Sequence, residues 1–214
     1  AGTISGHPAT EYAQGDIIPN SVWDLNFRAA NGNNAGMAYI DALDIWADIY
    51  LASGTGSSTA SANGATISDT RTWLNFVDDG AAIRKRMLRD YEFQVAAEGS
   101  NQQTNIAGTA DPTTTSGHTD TAGRRMISNY FLEDCCGTLW QWLDENGNSS
   151  GTGWQNTLGG TKGQYYGSAD VKLLAGGDWD DGAYCGSRCR AANYSRWAAV
   201  SKIGCRFAAR SITK

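Results

Sequence analysis

The sequence predicts an α+β domain, irregular, with long loops and a Trp-rich core. Three observations carry this. Eight Trp and nine Tyr in 214 residues supply large rings for a core or an interface. One stretch, residues 70–99, holds a helical period, whereas short runs of alternating apolar and polar residues recur on both sides of it. Gly-, Ser- and Thr-rich segments separate those runs. A hydrophobic content of 41% is that of a globular chain, and the length suffices for a substantial core.

Residues 1–35 read as an N-terminal lead-in, with Pro8, Pro19 and the turn signal Asn31-Gly32-Asn33-Asn34. No linker or internal repeat divides the rest of the chain, so residues 36–214 are expected to form one domain. Gly36-Met37-Ala38-Tyr39-Ile40 opens a strand, and Leu43 to Leu51 nearly alternates, as a half-buried strand does. Gly54 to Gly64 reads as an exposed loop. From Thr70 to Gly99, Ile83, Met87 and Leu88 share one helical face, and Tyr91, Val95 and Glu98 recur at similar spacing. Helix is therefore expected until Gly99 stops it, with Arg84-Lys85-Arg86 as solvated charge. Gly99 to Gly123 reads as a long polar loop and Met126 to Leu132 as a further element. Gly137 to Leu143 reads as a central strand that places Trp140 and Trp142 in the core, and Gly147 to Gly163 as another loop.

The net charge of −5 argues against nucleic-acid binding. It is unevenly spread: from Lys172 onward eight basic residues face three Asp, a net +5 against −10 for the rest. Arg188, Arg190, Arg196 and Arg206 read as structural cations paired with carboxylates elsewhere. No apolar run reaches the ~18–20 residues of a membrane span. Ala1 opens no signal peptide, which predicts either a soluble chain or one whose leader has been removed. Five cysteines is an odd number, so at least one is unpaired or pairs between chains. Cys135-Cys136 reads as two buried thiols or as one bonded to Cys185 or Cys205, with a redox disulfide or a soft-metal pair as the functional alternatives.

His7 and His118 stand in isolation and read as ordinary surface residues, not as a metal centre. Asp178, Asp180 and Asp181 lack the EF-hand spacing, and read as an exposed acidic part of a binding surface. No cofactor is expected; structural calcium elsewhere in the domain stays open.

Five segments stand in the order of the formylglycine-generating-enzyme type of C-type lectin fold. Gly36 to Ile40 resembles that family's opening strand, and Arg86 to Gly99 its helix. Gly137-Thr138-Leu139-Trp140-Gln141-Trp142 is similar to its Trp strand, Leu174-Ala175-Gly176-Gly177-Asp178-Trp179 to its Gly-Gly turn, and Gly204-Cys205-Arg206-Phe207 to its close. The family's helix-capping Thr is Arg89 here, which removes a side-chain acceptor from the helix start. The enzymes of this fold bind copper(I) through two closely spaced cysteines in the tail. Here Asp181 stands at the first position, and the spacing of Cys185 and Cys189 is not the family's. The resemblance therefore implies no enzyme.

Within this fold the chain resembles the variable proteins of diversity-generating retroelements, a group that includes phage tropism determinants. That resemblance implies a hypervariable ligand-binding surface in residues 172–208, rewritten mainly at Asn codons. Asp178, Asp180, Asp181, Tyr184, Ala191, Asn193, Tyr194, Ser195, Ala198 and Val200 are all reachable from such codons. Trp179 and Trp197 are encoded without adenine and stay fixed, and Lys202 departs from the pattern. The scaffold is expected to be Gly176, Gly177, Trp179, Trp140, Trp142, Gly204 and Arg206. Trp197 reads either as an anchor for ligand or as scaffold. The implied partner is a protein or glycan receptor on a cell surface, met from a phage tail or a microbial surface, with homo-oligomerisation or multivalent display adding avidity. A fixed-specificity lectin or adhesion module is the alternative. On this reading Trp179→Ala unfolds the domain, whereas changes at Tyr184 or Tyr194 alter recognition at little cost in stability.

Overall fold

A computed structural model describes residues 29–30, 32–147, 154–155, 165–166 and 170–212. The chain enters as β1 (Ala29–Ala30), then makes an antiparallel pair of β2 (Met37–Ile40) and β3 (Ile45–Asp48). Tyr39 and Trp46 stand opposite each other across that pair, with ring centroids 5.5 Å apart. The alternation from Leu43 to Leu51 survives as a strand only over β3. Asp41–Leu43 wind into a 3-10 turn that ends at Asp44 with φ 50, and this turn brings the chain back on itself. β4 (Ala52–Ser53) and β5 (Ala60–Ser61) pair next, so the segment expected as an exposed loop is partly tied down. Thr59 and Ser61 are buried, and the Ser61 hydroxyl donates to Gly36 O at 2.6 Å.

The helix expected over residues 70–99 is two helices with a strand between them. α1 (Trp73–Ala82) starts at Thr72, whose hydroxyl accepts the Asn75 N–H while its own N–H donates to Asn75 Oδ1. It ends at Ile83; Arg84 adopts φ 59, and β6 (Arg86–Met87) follows before α2 (Asp90–Ala96). Ile83, Met87 and Leu88 thus lie on no common helix. Nor are Lys85 and Arg86 solvated. Lys85 Nζ donates to Asp48 at 2.6 Å with both side chains at or below 3% exposure, and Arg86 meets Glu92 at 2.7 Å. A carboxylate buried at the end of β3 needs a cation, and that requirement overrides hydration of the lysine. At α2 one half of a capping box is present: Glu92 Oε2 accepts the Arg89 N–H at 2.9 Å, while Arg89 itself offers the first turn no side-chain acceptor.

Residues 97–139 cross the domain with isolated bridges only; Met126 to Leu132, expected as an element, contributes one between Ile127 and Glu133. Buried polar side chains hold this region in place of a ladder. His118 is part of that network and not an ordinary surface residue: Nδ1 lies 2.6 Å from Asp134 Oδ2 and Nε2 lies 3.3 Å from Thr114 Oγ1. Asp120, 1% exposed, accepts from Thr104 Oγ1, the Arg124 guanidinium, and the N–H groups of Ala122 and Arg124. Burial pushes its carboxyl up, but these donors outweigh burial and hold it at about 2. A folded-state value below the unfolded one contributes stability above pH ~4, lost as pH falls toward ~2. Asp120→Asn should therefore cost about 2 kcal/mol at neutral pH and flatten the acid limb of the stability profile. Urea titrations at several pH values check this; identical acid limbs would remove Asp120 as a source of the pH dependence.

The chain then runs through β7 (Trp140–Asn146), β8 (Trp154–Gln155), β9 (Tyr165–Tyr166), β10 (Val171–Gly176), β11 (Gly186–Ser195), β12 (Ile203–Gly204) and β13 (Phe207–Ile212). One sheet has the order β1-β13-β3-β2 with β6 also on β13, and the other the order β11-β10-β7-β12. β7 is an inner strand, as its Trp pattern predicts. Trp142 is fully buried beside Leu174, Ile203 and Phe207, while Trp140 is half-buried at the margin of the same cluster. A second cluster gathers Ile40, Leu88, Phe93, Leu132, Leu143 and the Cys135-Cys136 pair. Most of the loop expected at Gly147 to Gly163, His7, and the lead-in before Ala29 lie outside the described residues.

Candidate ligand-binding face

β11 is one of the two edge strands of its sheet among the described residues, and its register with β10 slips twice. Leu174 faces Ala191 and Lys172 faces Tyr194, so β11 spends one residue more than β10 there; Ala175 faces Arg190 and Gly176 faces Gly186, which sets residues 187–189 outside the ladder. Bulges of this kind bend an edge strand and re-aim its side chains. Behind them the Gly176-Gly177 turn has φ +97 and +86, and an added Cβ would stand 2.5 Å from Cys135 O or 2.8 Å from Cys185 Sγ. Only glycine fits there.

Cations fasten this surface to the body. Lys172 Nζ lies 3.9 Å from the Trp73 ring centre and donates to Asn146 Oδ1 at 2.6 Å. Arg190 is bonded to Asp90 and lies over Phe93, and Arg196 donates to Asp170 at 2.7 Å and lies near Trp73. Lys202 Nζ reaches Asp178 at 3.2 Å and Asp180 at 3.4 Å, and stands over Trp179. Each contact is a modest cation–π or ion-pair attraction, and together they make Lys172, Arg190, Arg196 and Lys202 structural, whereas Arg188, expected to be paired with a carboxylate, is exposed. Lys202 broke the codon pattern in the sequence; its role as a clamp was legible only in three dimensions.

The positions marked by the codon pattern divide into three kinds. Tyr184 at 81% exposure, Asp180 and Asn193 are open to solvent. Asp181 and Ser195 are half-buried, as are Ala191, Tyr194, Ala198 and Val200, which rest against the Trp142 cluster. Asp178 corrects the expectation of an exposed acidic patch. It is 2% exposed, and its Oδ1 accepts the Asp180 N–H at 2.8 Å while Lys202 holds Oδ2. Asp178 therefore props the loop from within. Trp197, left undecided by the sequence, is 65% exposed. Trp179 is half-buried against Leu51, Ile67 and Leu139, a lesser burial than a residue whose loss unfolds the domain requires. Gly204 is buried, an added Cβ there would stand 3.0 Å from the Leu139 side chain, and Arg206 is 1% exposed.

All five cysteines are free, which settles the open choice at Cys135-Cys136 in favour of two buried thiols. Burial pushes the Cys185 thiol up to about 12 and the Cys189 thiol up to about 11, with the Asp181 carboxylate adding to both. Thiols so raised are protonated at neutral pH, and it is the thiolate that attacks electrophiles and binds soft metals. Iodoacetamide at pH 7.5 should modify Cys189 slowly and the other four only on unfolding. Mass spectrometry of the native chain checks this, and rapid labelling of Cys185 would contradict it. Among the described residues no three His, Cys, Asp or Glu side chains converge as metal ligands, and no helix is long and apolar enough to cross a membrane.

No protein-family model matches the chain. It is 29% identical over 191 residues to the tail fiber receptor-binding protein of Bordetella phage BPP-1, covering 78% of this chain and 50% of that protein. In structure it matches the Major Tropism Determinant U1 variant with a TM-score of 0.67 and 25% identity, over 90% of this chain and 57% of that one. The I1 variant gives 0.66 and 26%, over 89% and 56%. The chain is similar to the major tropism determinants. The C-type lectin fold expected from the order of the five segments is the fold observed. The likeness to the tropism determinants extends over nine-tenths of the chain, so a whole architecture is shared and not a single motif. The chain spans about half the length of the curated relative it matches.

Proposed function

We propose that this chain binds a receptor on a cell surface from a phage tail, using β11 and its flanking turns, and that residues 172–208 are diversified by a retroelement. The observation that carries the reading is a division of labour in the tail. Lys172, Lys202 and Trp179, which no Asn codon becomes when its first two bases change, clamp the face from within. Tyr184 and Asn193, which such codons reach, stand in solvent, as does Trp197. Tyr offers contact area at low entropic cost and small polar residues offer adaptable hydrogen bonds, as in antibody paratopes. Likeness to a receptor-binding tail fiber protein supports the same reading. The receptor is a protein or a glycan, and display in several copies raises a weak single-site affinity.

The DNA flanking the gene tests this. A near-copy of the segment encoding residues 172–208, differing mainly at adenines and beside a reverse transcriptase gene, is expected. Its absence would leave the fold in place and turn the reading to a binding module of fixed specificity.

A further inference from the structure

We propose that a cavity between β3, β13 and the start of α2 binds an acidic sugar unit, at a site separate from the β11 face. The cavity measures about 300 Å³, and its lining includes Arg86, Arg89, Tyr91, Glu92, Arg210 and Ser211. None of its lining residues falls within 172–208.

Its chemistry is that of an anion site. Arg86 and Glu92 neutralise each other through two contacts of 2.7 Å. Asp44, the other carboxylate of the lining, accepts from Tyr39 Oη at 2.6 Å. Arg89 and Arg210 are exposed and have no carboxylate partner among the described residues, although both belong to the lining. Exposed guanidinium groups without a carboxylate partner favour an oxyanion between them. Guanidinium forks match planar carboxylates in particular.

Tyr91 decides what carries the carboxylate. Tyr91 belongs to the lining and is 53% exposed, which leaves a large aromatic residue accessible beside an anion site. An aromatic face of this kind packs against the apolar face of a sugar ring. The volume lies at the small end of ligand cavities and suits a single unit of a saccharide. The ligand is then a uronate or a similar acidic monosaccharide, with its carboxylate between Arg89 and Arg210 and its ring on Tyr91.

Titrations of the full chain with glucuronate, glucose and inorganic phosphate, followed by NMR or calorimetry, test this. Glucuronate is expected to bind saturably and more tightly than phosphate, and glucose not at all. The exposed double variant Arg89→Gln/Arg210→Gln should weaken glucuronate by at least about tenfold with an unchanged melting curve. Tyr91→Ala should weaken glucuronate and leave phosphate unaffected, and Tyr184→Ala should change neither. The proposal falls if glucose or phosphate binds as tightly as glucuronate, if no probe binds, or if the double variant binds like the wild type. It does not rest on the reading of the β11 face, which the flanking DNA tests separately.

Discussion

Arg206→Ala should lower the stability of the domain by more than about 4 kcal/mol, enough to unfold much of a typical population at physiological temperature. The guanidinium is 1% exposed and donates to Asp48 O at 2.7 Å, to Ile49 O, to Glu133 O and to Gln141 Oε1 at 3.2 Å. Those groups come from β3 and its exit, from the irregular crossing segment, and from β7, so one side chain ties both sheets to the loops. Its loss takes that donor from the Asp48 and Glu133 carbonyls in the interior, at about 1–3 kcal/mol each, while Ile49 O keeps the Glu133 N–H at 2.8 Å. It also removes a cation from the surroundings of Asp48 and Asp134, whose carboxyls burial already pushes up. Arg206→Lys should recover little, because an ammonium cannot span the fork that meets carbonyls on both sides. Urea denaturation of the two variants measures this. A loss below about 1 kcal/mol would mean that water replaces the guanidinium and that the two sheets are joined in another way.

Tyr184→Ala and Trp197→Ala should have the opposite profile. Both rings are largely exposed, at 81% and 65%, so truncation removes little buried area and should change stability by less than about 0.5 kcal/mol. As aromatic anchors of a binding face, each should weaken adsorption of the purified chain to cells that retain the wild type by about thirtyfold or more. Lys202→Ala serves as the contrast. It releases Asp178 and Asp180 together, so it should weaken adsorption through a disordered loop and lower stability as well. If the exposed aromatics could be removed with adsorption intact, β11 would not be the face that meets the cell.

Segments whose character is set by neighbours in the chain were legible from the sequence. Trp142 lies in the run Leu139 to Leu143, which reads as a central strand, and a strand buried on both faces places it inside. Gly176 and Gly177 sit where the backbone needs positive φ and has no room for a Cβ. Segments settled by distant partners were not. The break between α1 and α2 turns on Lys85, whose carboxylate partner is 37 residues away, and the helical period there gives no sign of it. His118 looks isolated in the sequence because Asp134 reaches it from 16 residues on. Asp178 and Asp180 are the same residue type two positions apart, yet one is buried under Lys202 and the other faces water.

The candidate face shows the same division. By itself the sequence determined the α+β class, because turn chemistry, alternation and ring content are local properties, and its framework segments carried the resemblance that marks residues 172–208 as the candidate stretch. Only the tertiary structure decided which members of that stretch are open to a ligand. It also decided that Lys172, Arg190, Arg196 and Lys202 fasten the surface, and that the unpaired Arg89 and Arg210 share a cavity with Tyr91. Exposure and ion pairing are properties of what packs beside a residue, and across these two sheets the packing partner comes from a remote part of the chain.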